Sequence, residues 1–439
     1  MRRLLSILSA FLLTFTTMLC SSSISFADSS PPNIPAQYAV LMDYASGQVL
    51  YEKNAHEKLY PASTTKMWTA YIVLKYAKNL DEYVTVTIDP VEGSSMYLKK
   101  GERFTVMELL QGLLLTSGND AAVVLANHVG GSIEGFVDLM NKEALKIGAK
   151  DTHFNNPSGL PDDHHWTTAY DMALMSRKAM SNPTFRDIVN TKVVKFPANE
   201  NRQIDREFIN SNKFLTGSSN HTIPYRNQQV PVRYDIVDGI KTGYTDAAGK
   251  CLLSSAKKNN MRLISAVFKN VGDEMYVSSR TLLDYGFENF KSITAINKDD
   301  YTGVKKIWYS KERKLNYAPE SNYYDVIGKN ETTPTYKAET ELNKIQLPIK
   351  KGDVVGTLKI YKNKDSEPVS NIKLIAQNDV NNIFTLILNN PIIKTILILI
   401  LAFVALVVLF VSFVIIRKKI RRATRIKRRN IYSKKRKRR

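Results

Sequence analysis

With 439 residues, 44% of them hydrophobic and 10% aromatic, the chain exceeds the usual size of one domain and has ample material for a packed core, which excludes general disorder. The formal net charge is +21, from 62 basic against 41 acidic residues. Fifteen Lys or Arg and no acidic residue lie in 417–439, which leaves +6 for all the rest, so the basic balance is no argument for a nucleic-acid partner.

Taken in order, Arg2 and Arg3, the apolar run from Leu4 to Leu19, and Ser25-Phe26-Ala27 before Asp28 have the layout of a cleavable export signal over residues 1–27. Cys20 offers a lipoprotein site as an alternative, but Leu19 before it is larger than the residue such a site takes. Tyr38 to Met42 and Gln48 to Tyr51 flank Ala45-Ser46-Gly47 and read as a hairpin. Met67 to Leu74 is apolar on nearly every face and predicts a buried central helix. Thr105-Val106-Met107-Glu108 is a capping-box start for a second helix that Thr116-Ser117-Gly118-Asn119 ends.

Ile236 to Gly243, Cys251 to Ala256 and Met261 to Phe268 read as strands, and Asp273 to Phe287 as a helix. Strands at both ends with helices between predict one antiparallel sheet covered by helices. Beyond Ser292, Lys305 to Tyr309, Tyr323 to Ile327, Val354 to Tyr361 and Ile372 to Ala376 predict a small all-β domain. Thr395 to Ile416 is 22 residues without a charge. A helix of that length reaches ~33 Å, enough to cross a bilayer core. The basic flank after it predicts a cytoplasmic tail and an exported bulk, and the tail suits anionic lipid head groups.

Cys251 is expected to fill core space in its strand. His164-His165, between Asp162, Asp163 and Trp166, is expected in a solvated turn. No Cys-x-x-Cys or His-Glu-x-x-His pair suggests a metal.

Three short motifs carry chemistry. Ser63-Thr64-Thr65-Lys66 opens the buried helix, and its three-residue spacing puts hydroxyl and amine on one face. A lysine can take a serine proton only when burial or other cations lower its pKa. Ser117-Gly118-Asn119 supplies a second hydroxyl and an amide, although it is also ordinary turn composition. Lys241-Thr242-Gly243 lies on a strand, where Gly243 leaves room for a substrate backbone, Thr242 suits a carboxylate and Lys241 adds charge; a bare strand end ahead of a turn is the alternative reading. In this order, on helix, loop and strand, they form the constellation of the penicillin-recognising serine enzymes.

On these residues the chain resembles the low-molecular-mass penicillin-binding proteins that act as D-alanyl-D-alanine carboxypeptidases. The likeness continues through Asn119-Asp120-Ala121-Ala122, Asn156-Pro157-Ser158-Gly159-Leu160, Thr167-Thr168-Ala169-Tyr170-Asp171, Val237 to Asp246 and Lys350 to Gly356. It implies an α+β penicillin-binding/β-lactamase-like transpeptidase fold over 34–290, an all-β domain over 293–377, a linker over 378–394, a transmembrane helix over 395–416 and a cytoplasmic tail over 417–439. It also implies that Ser63 attacks D-Ala-D-Ala, Lys66 is the base and Ser117 passes a proton to the leaving D-alanine. By the same resemblance Asn119 holds the peptide, Lys241 and Thr242 hold the terminal carboxylate, and the backbone N–H groups of Ser63 and Tyr244 form the oxyanion hole. Arg226 is either support for that charge cluster or an ordinary surface arginine. The implied partners are peptidoglycan stem peptides, β-lactams as acylating inhibitors and the membrane, with no cofactor and no nucleic acid.

Three departures stand out: no arginine in 269–279, Ser158 where several relatives have histidine, and a full span where an amphipathic anchor is usual. A β-lactamase is disfavoured because no glutamate lies between Ala144 and Asn199. The remaining alternatives are a D,D-endopeptidase and a non-catalytic peptidoglycan-binding protein.

Overall fold

The computed structural model describes residues 30–383 and 391–436. The expected export signal and Cys20 lie outside the described residues, as do 384–390 of the expected linker and the last three residues of the tail. The described chain divides into two compact units, one of residues 30–295 with Tyr324–Thr333, the other of Ile296–Tyr323 and everything from Pro334 on.

In the first unit β1 (Tyr38–Asp43) and β2 (Val49–Lys53) form the expected hairpin. A turn of 3-10 helix, Ala62–Thr64, leads into α1 (Thr65–Tyr76). The ladder of β3 (Tyr83–Thr85) and β4 (Arg103–Thr105) precedes α2 (Val106–Leu115), α3 (Asn119–Gly130), α4 (Ile133–Lys146), α5 (Ala169–Ala179) and α6 (Pro183–Asn190). Two more small ladders, β5 (Val193–Phe196) with β6 (Arg206–Ile209) and β7 (Thr222–Tyr225) with β8 (Gln228–Pro231), enclose the single turn α7 (Lys213–Thr216). Then come β9 (Val237–Thr245), β10 (Gly249–Lys258), β11 (Met261–Asn270) and α8 (Glu274–Asn289).

The main sheet has the order β2-β1-β11-β10-β9, with every pairing antiparallel. Alternation along its strands separates two cores. Val40, Met42, Ile264, Ala266 and Phe268 belong to the core that contains α1, whereas Ala39, Leu41, Leu263 and Val267 belong to the one that contains α8. Helix α1 has no polar face because helices surround it: Met67, Trp68, Ala70, Ile72 and Val73 are all fully buried. Trp68 donates its indole N–H to Met140 O at 3.0 Å, satisfying its one polar atom. The capping box of α2 is present as expected, with Thr105 Oγ1 accepting from Glu108 N and Glu108 accepting from Thr105 N.

β12 (Phe290–Ile296) pairs with β15 (Tyr323–Gly328), so the strand expected at Tyr323 to Ile327 among those of the small domain pairs elsewhere. The second unit's sheet has the order β13-β14-β18-β17-β16, from β13 (Gly303–Lys306), β14 (Lys314–Pro319), β16 (Tyr336–Leu342), β17 (Val354–Lys362) and β18 (Ser370–Ala376). Leu315, Leu358, Ile360 and Leu374 form its core. Finally α9 (Pro391–Arg436) carries the apolar span and runs on through the basic residues without a break.

Candidate active site

Ser63 sits in the 3-10 turn at the head of α1, and Lys66 follows one turn later. Lys66 Nζ lies 2.9 Å from Ser63 Oγ and donates to Ser158 O at 2.6 Å. The side chain is fully buried. Burial and the nearby charge of Lys241 hold its amine well below the usual lysine range, against an opposing pull from Asp120. A neutral amine so placed keeps an N–H for Ser158 and turns its lone pair to the Ser63 hydroxyl, which is the arrangement proton abstraction needs.

The Ser158 carbonyl is aimed by a loop built around Asn156. Its Oδ1 accepts from Ser158 N at 3.1 Å and Gly159 N at 2.7 Å, and its Nδ2 donates to Leu160 O at 3.0 Å. Gly159 has φ +79°, and a Cβ there would lie 1.8 Å from Ala62 O, so only glycine lets this loop press against the serine turn. Thr69 Oγ1 donates to Pro157 O at 2.6 Å and closes the same seam.

His165 corrects an expectation. His164 is exposed as a solvated turn requires, but His165 is 1% exposed, 3.0 Å from Thr65 Oγ1 through Nε2, and its Nδ1 accepts from Asn155 N at 3.2 Å. A backbone donor facing Nδ1 places the ring proton on Nε2, where it donates to Thr65. Burial pushes the imidazole down to about 4.

Ser117 lies between α2 and α3 with φ +66°, and its buried Oγ has no hydrogen-bond partner among the described residues. Asn119 begins α3; its backbone N–H donates to Ser94 O at 2.7 Å and its Nδ2 to Glu92 O at 2.5 Å. The amide expected to hold substrate is therefore partly engaged with its own wall. Next to it, the Asp120 carboxylate gathers Ser95 Oγ at 2.6 Å, Met96 N at 2.9 Å and Leu98 N at 3.0 Å, which shapes the segment over the site.

β9 forms the third side and is an edge strand, so its outer edge is open to pair with an extended peptide. Lys241 is 1% exposed and donates to Thr242 O at 3.0 Å; burial pushes its amine down to about 7. Thr242 Oγ1 lies 2.8 Å from Ser211 Oγ. Gly243 is expected to leave room for substrate. Its visible role is different: a Cβ there would stand 3.1 Å from Thr64 N and Cγ2, so glycine lets β9 approach the serine turn. The Tyr244 ring is exposed, its hydroxyl donates to Asp246 at 2.7 Å, and Lys250 Nζ lies 4.2 Å from its centroid.

Arg226 is not brought to the site. It sits in the turn between β7 and β8, 58% exposed, paired at 2.6 Å with Glu288 of α8, and α8 packs in the other core from α1. The surface-arginine reading is the one the geometry supports, because the local hairpin directs the side chain to α8.

Sequence reasoning missed Ser211, the role of Asn156 and the Thr65–His165 contact. Ser211 and Thr242 are 31 residues apart, with no spacing rule to link them.

The chain is similar to known proteins. The family model described as D-alanyl-D-alanine carboxypeptidase matches residues 25–272, and the model described as penicillin-binding protein 5, C-terminal domain, matches 290–382. The D-alanyl-D-alanine carboxypeptidase DacC of Escherichia coli (strain K12) is 37% identical over 350 residues, covering 76% of this chain and 82% of that protein. DacF of Bacillus subtilis (strain 168), likewise a D-alanyl-D-alanine carboxypeptidase, is 32% identical over 355 residues, covering 78% and 85%. The crystal structure of penicillin binding protein 5 from Haemophilus influenzae has a TM-score of 0.59 at 31% identity, covering 81% of this chain and all of that one.

Proposed function

Since the chain belongs to the D-alanyl-D-alanine carboxypeptidase family, we propose that its activity is carried by Ser63, with Lys66 as base and Ser117 as proton carrier. The protein is a serine-type D-alanyl-D-alanine carboxypeptidase acting on peptidoglycan and binding β-lactams. The observation that carries the residue assignment is the 2.9 Å separation of Lys66 Nζ from Ser63 Oγ, with the amine buried.

In this reading the stem peptide pairs along the open edge of β9, its terminal carboxylate near Lys241 and Thr242. Ser63 Oγ passes its proton to Lys66 and bonds to the carbonyl carbon of the penultimate D-alanine. Backbone N–H groups of Ser63 and Tyr244 receive the developing oxyanion, each such donor contributing about 3 kcal/mol. The C–N bond then breaks as Ser117 relays the proton from Lys66 to the leaving amine. Water enters by the reverse proton path, releases the shortened peptide and restores Ser63. A penicillin opens on the same serine and stays, as an ester that this site hydrolyses slowly.

The apolar part of α9 is a candidate membrane anchor, with a mean hydropathy of 3.4 in its most apolar stretch. We place the catalytic unit outside the cell and the basic end of α9 inside, because a dense Lys/Arg flank is retained on the cytoplasmic side.

The test is D-alanine release from a peptide ending in D-Ala-D-Ala by the full chain, with mass spectrometry of the penicillin-treated protein. Release and a penicilloyl adduct on Ser63, both abolished by Ser63→Ala, are the expected result. Activity retained in that variant would assign the wrong nucleophile.

A further inference from the structure

The hairpin of β13 and β14 carries a surface that the catalytic chemistry does not use. Its tip runs from Trp308 to Glu312, and Trp308 is 82% exposed, more than any other large hydrophobic side chain among the described residues. Lys305, Lys306, Lys311, Arg313 and Lys314 surround it in sequence and are all exposed. The one acid in this stretch, Glu312, is occupied: its oxygens accept from Asn381 N at 2.7 Å and Asn381 Nδ2 at 3.0 Å. An indole held in water beside five cations is a costly arrangement for a free surface. It matches the interfacial zone of a bilayer, where amphipathic rings sit at the level of the head groups and basic side chains meet anionic lipid.

The same tip is tied to the chain's route toward α9. Lys311 N donates to Asn381 O at 3.1 Å, Ile383 N donates to Tyr309 O at 3.2 Å, and Ser310 bridges Asn382. Ile383 is eight residues before Pro391, where α9 begins. At ~3.5 Å per residue that stretch spans no more than about 28 Å whatever path it takes. The tip is thereby held within reach of the bilayer its own helix enters.

We propose that the β13–β14 tip is a second membrane contact, with Trp308 in the head-group layer and Lys305, Lys306, Lys311, Arg313 and Lys314 against anionic phospholipid. The inference rests on α9 being the anchor. Chain continuity and charge select the bilayer over a protein partner. A second point of attachment restrains the β domain's rotation about the anchor.

The test uses the full chain in nanodiscs of phosphatidylcholine with or without phosphatidylglycerol, carrying lipids brominated just below the head groups. The Trp308 signal is the difference in fluorescence between the natural protein and Trp308→Phe. With phosphatidylglycerol present, this component shifts to shorter wavelength and loses most of its intensity to the brominated lipid. Replacing the five cations with Gln restores the intensity and leaves D-alanine release unchanged. An unquenched Trp308 component in protein that elutes with the discs overturns the contact, as it would if a protein partner were the true occupant. Quenching that is equal without phosphatidylglycerol and unaffected by the Gln variant overturns the role of charge. Protein that never enters the discs overturns the anchor, and the second contact with it, while D-alanine release separately reports the catalytic assignment.

Discussion

Thr65 Oγ1 and His165 Nε2 lie 3.0 Å apart and join the first turn of α1 to a loop a hundred residues later. The same loop presents Ser158 O to Lys66, so in the proposed mechanism the buried histidine positions the base through this loop. His165→Ala should slow acylation of Ser63 by penicillin by roughly 10²-fold, the scale of a 1 Å misplacement, with little change in KM for the peptide. His165→Gln, whose amide can replace both contacts, should recover most of the rate. Equal losses in the two variants would refute positioning by these hydrogen bonds.

Acid sensitivity follows from the same ring. With a folded value near 4 against 6.5 when free, the unfolded chain binds the extra proton between these values, so this contribution to stability is present above pH 6.5 and is lost as pH falls toward 4. The loss is on the order of 3 kcal/mol. Urea midpoints measured from pH 7 to 4 should fall more steeply for the natural protein than for His165→Gln; parallel curves would count against it.

Ser117 Oγ is buried without a partner among the described residues, which suits a proton carrier that must accept and donate in turn. Ser117→Ala should lower D-alanine release by roughly 10²–10⁴-fold, the range for losing a positioned acid–base group. The separation of Lys66 from Ser63 is untouched, so the fold and initial penicillin binding should persist. Release within a few-fold of the natural rate would remove Ser117 from the relay.

Lys241 is fully enclosed and donates to its neighbouring carbonyl, its single hydrogen bond among the described residues. Its folded value of about 7 lies below the ordinary 10.5, so between these values only the unfolded chain holds the proton, and this group's contribution to stability rises with pH across that window. Lys241→Met should raise stability by roughly 1–2 kcal/mol at pH 6, a trade of function for stability. The gain should shrink toward pH 10, and peptide KM should rise sharply. A lower Tm at pH 6 would show that the buried amine stabilises the fold.

Ser211 orients Thr242 from outside the three motifs. Ser211→Ala should raise peptide KM several-fold while kcat changes little, because one neutral hydrogen bond contributes about 1 kcal/mol. A change confined to kcat would place Ser211 in the chemistry.

Local rules made much of this protein legible. The capping box at Thr105–Glu108, the apolar run of α1 and the hairpin at Tyr38–Lys53 are set by contacts a few residues long, and each is where periodicity puts it. The strand at Tyr323 was readable as a strand, but its partner β12 was not, since pairing is chosen by packing over distance. Arg226 shows the same limit: its position upstream of Lys241 carries no information about direction, and the β7–β8 turn aims it at Glu288.

By itself, the order of Ser63-x-x-Lys66, Ser117-x-Asn119 and Lys241-Thr242-Gly243 pointed to the family, because hydroxyl, amine and amide at those spacings are what the proposed reaction calls for. Only the tertiary structure decided what state they are in. Burial beside a second lysine is what lowers the Lys66 amine, and burial is a property of everything packed around a side chain. Likewise Gly159, Gly243 and His165 acquire their roles from atoms distant in sequence: an added Cβ would stand 1.8 Å from Ala62 O at Gly159 and 3.1 Å from Thr64 N at Gly243, and Thr65 Oγ1 lies 3.0 Å from His165 Nε2, approaches that no local pattern encodes.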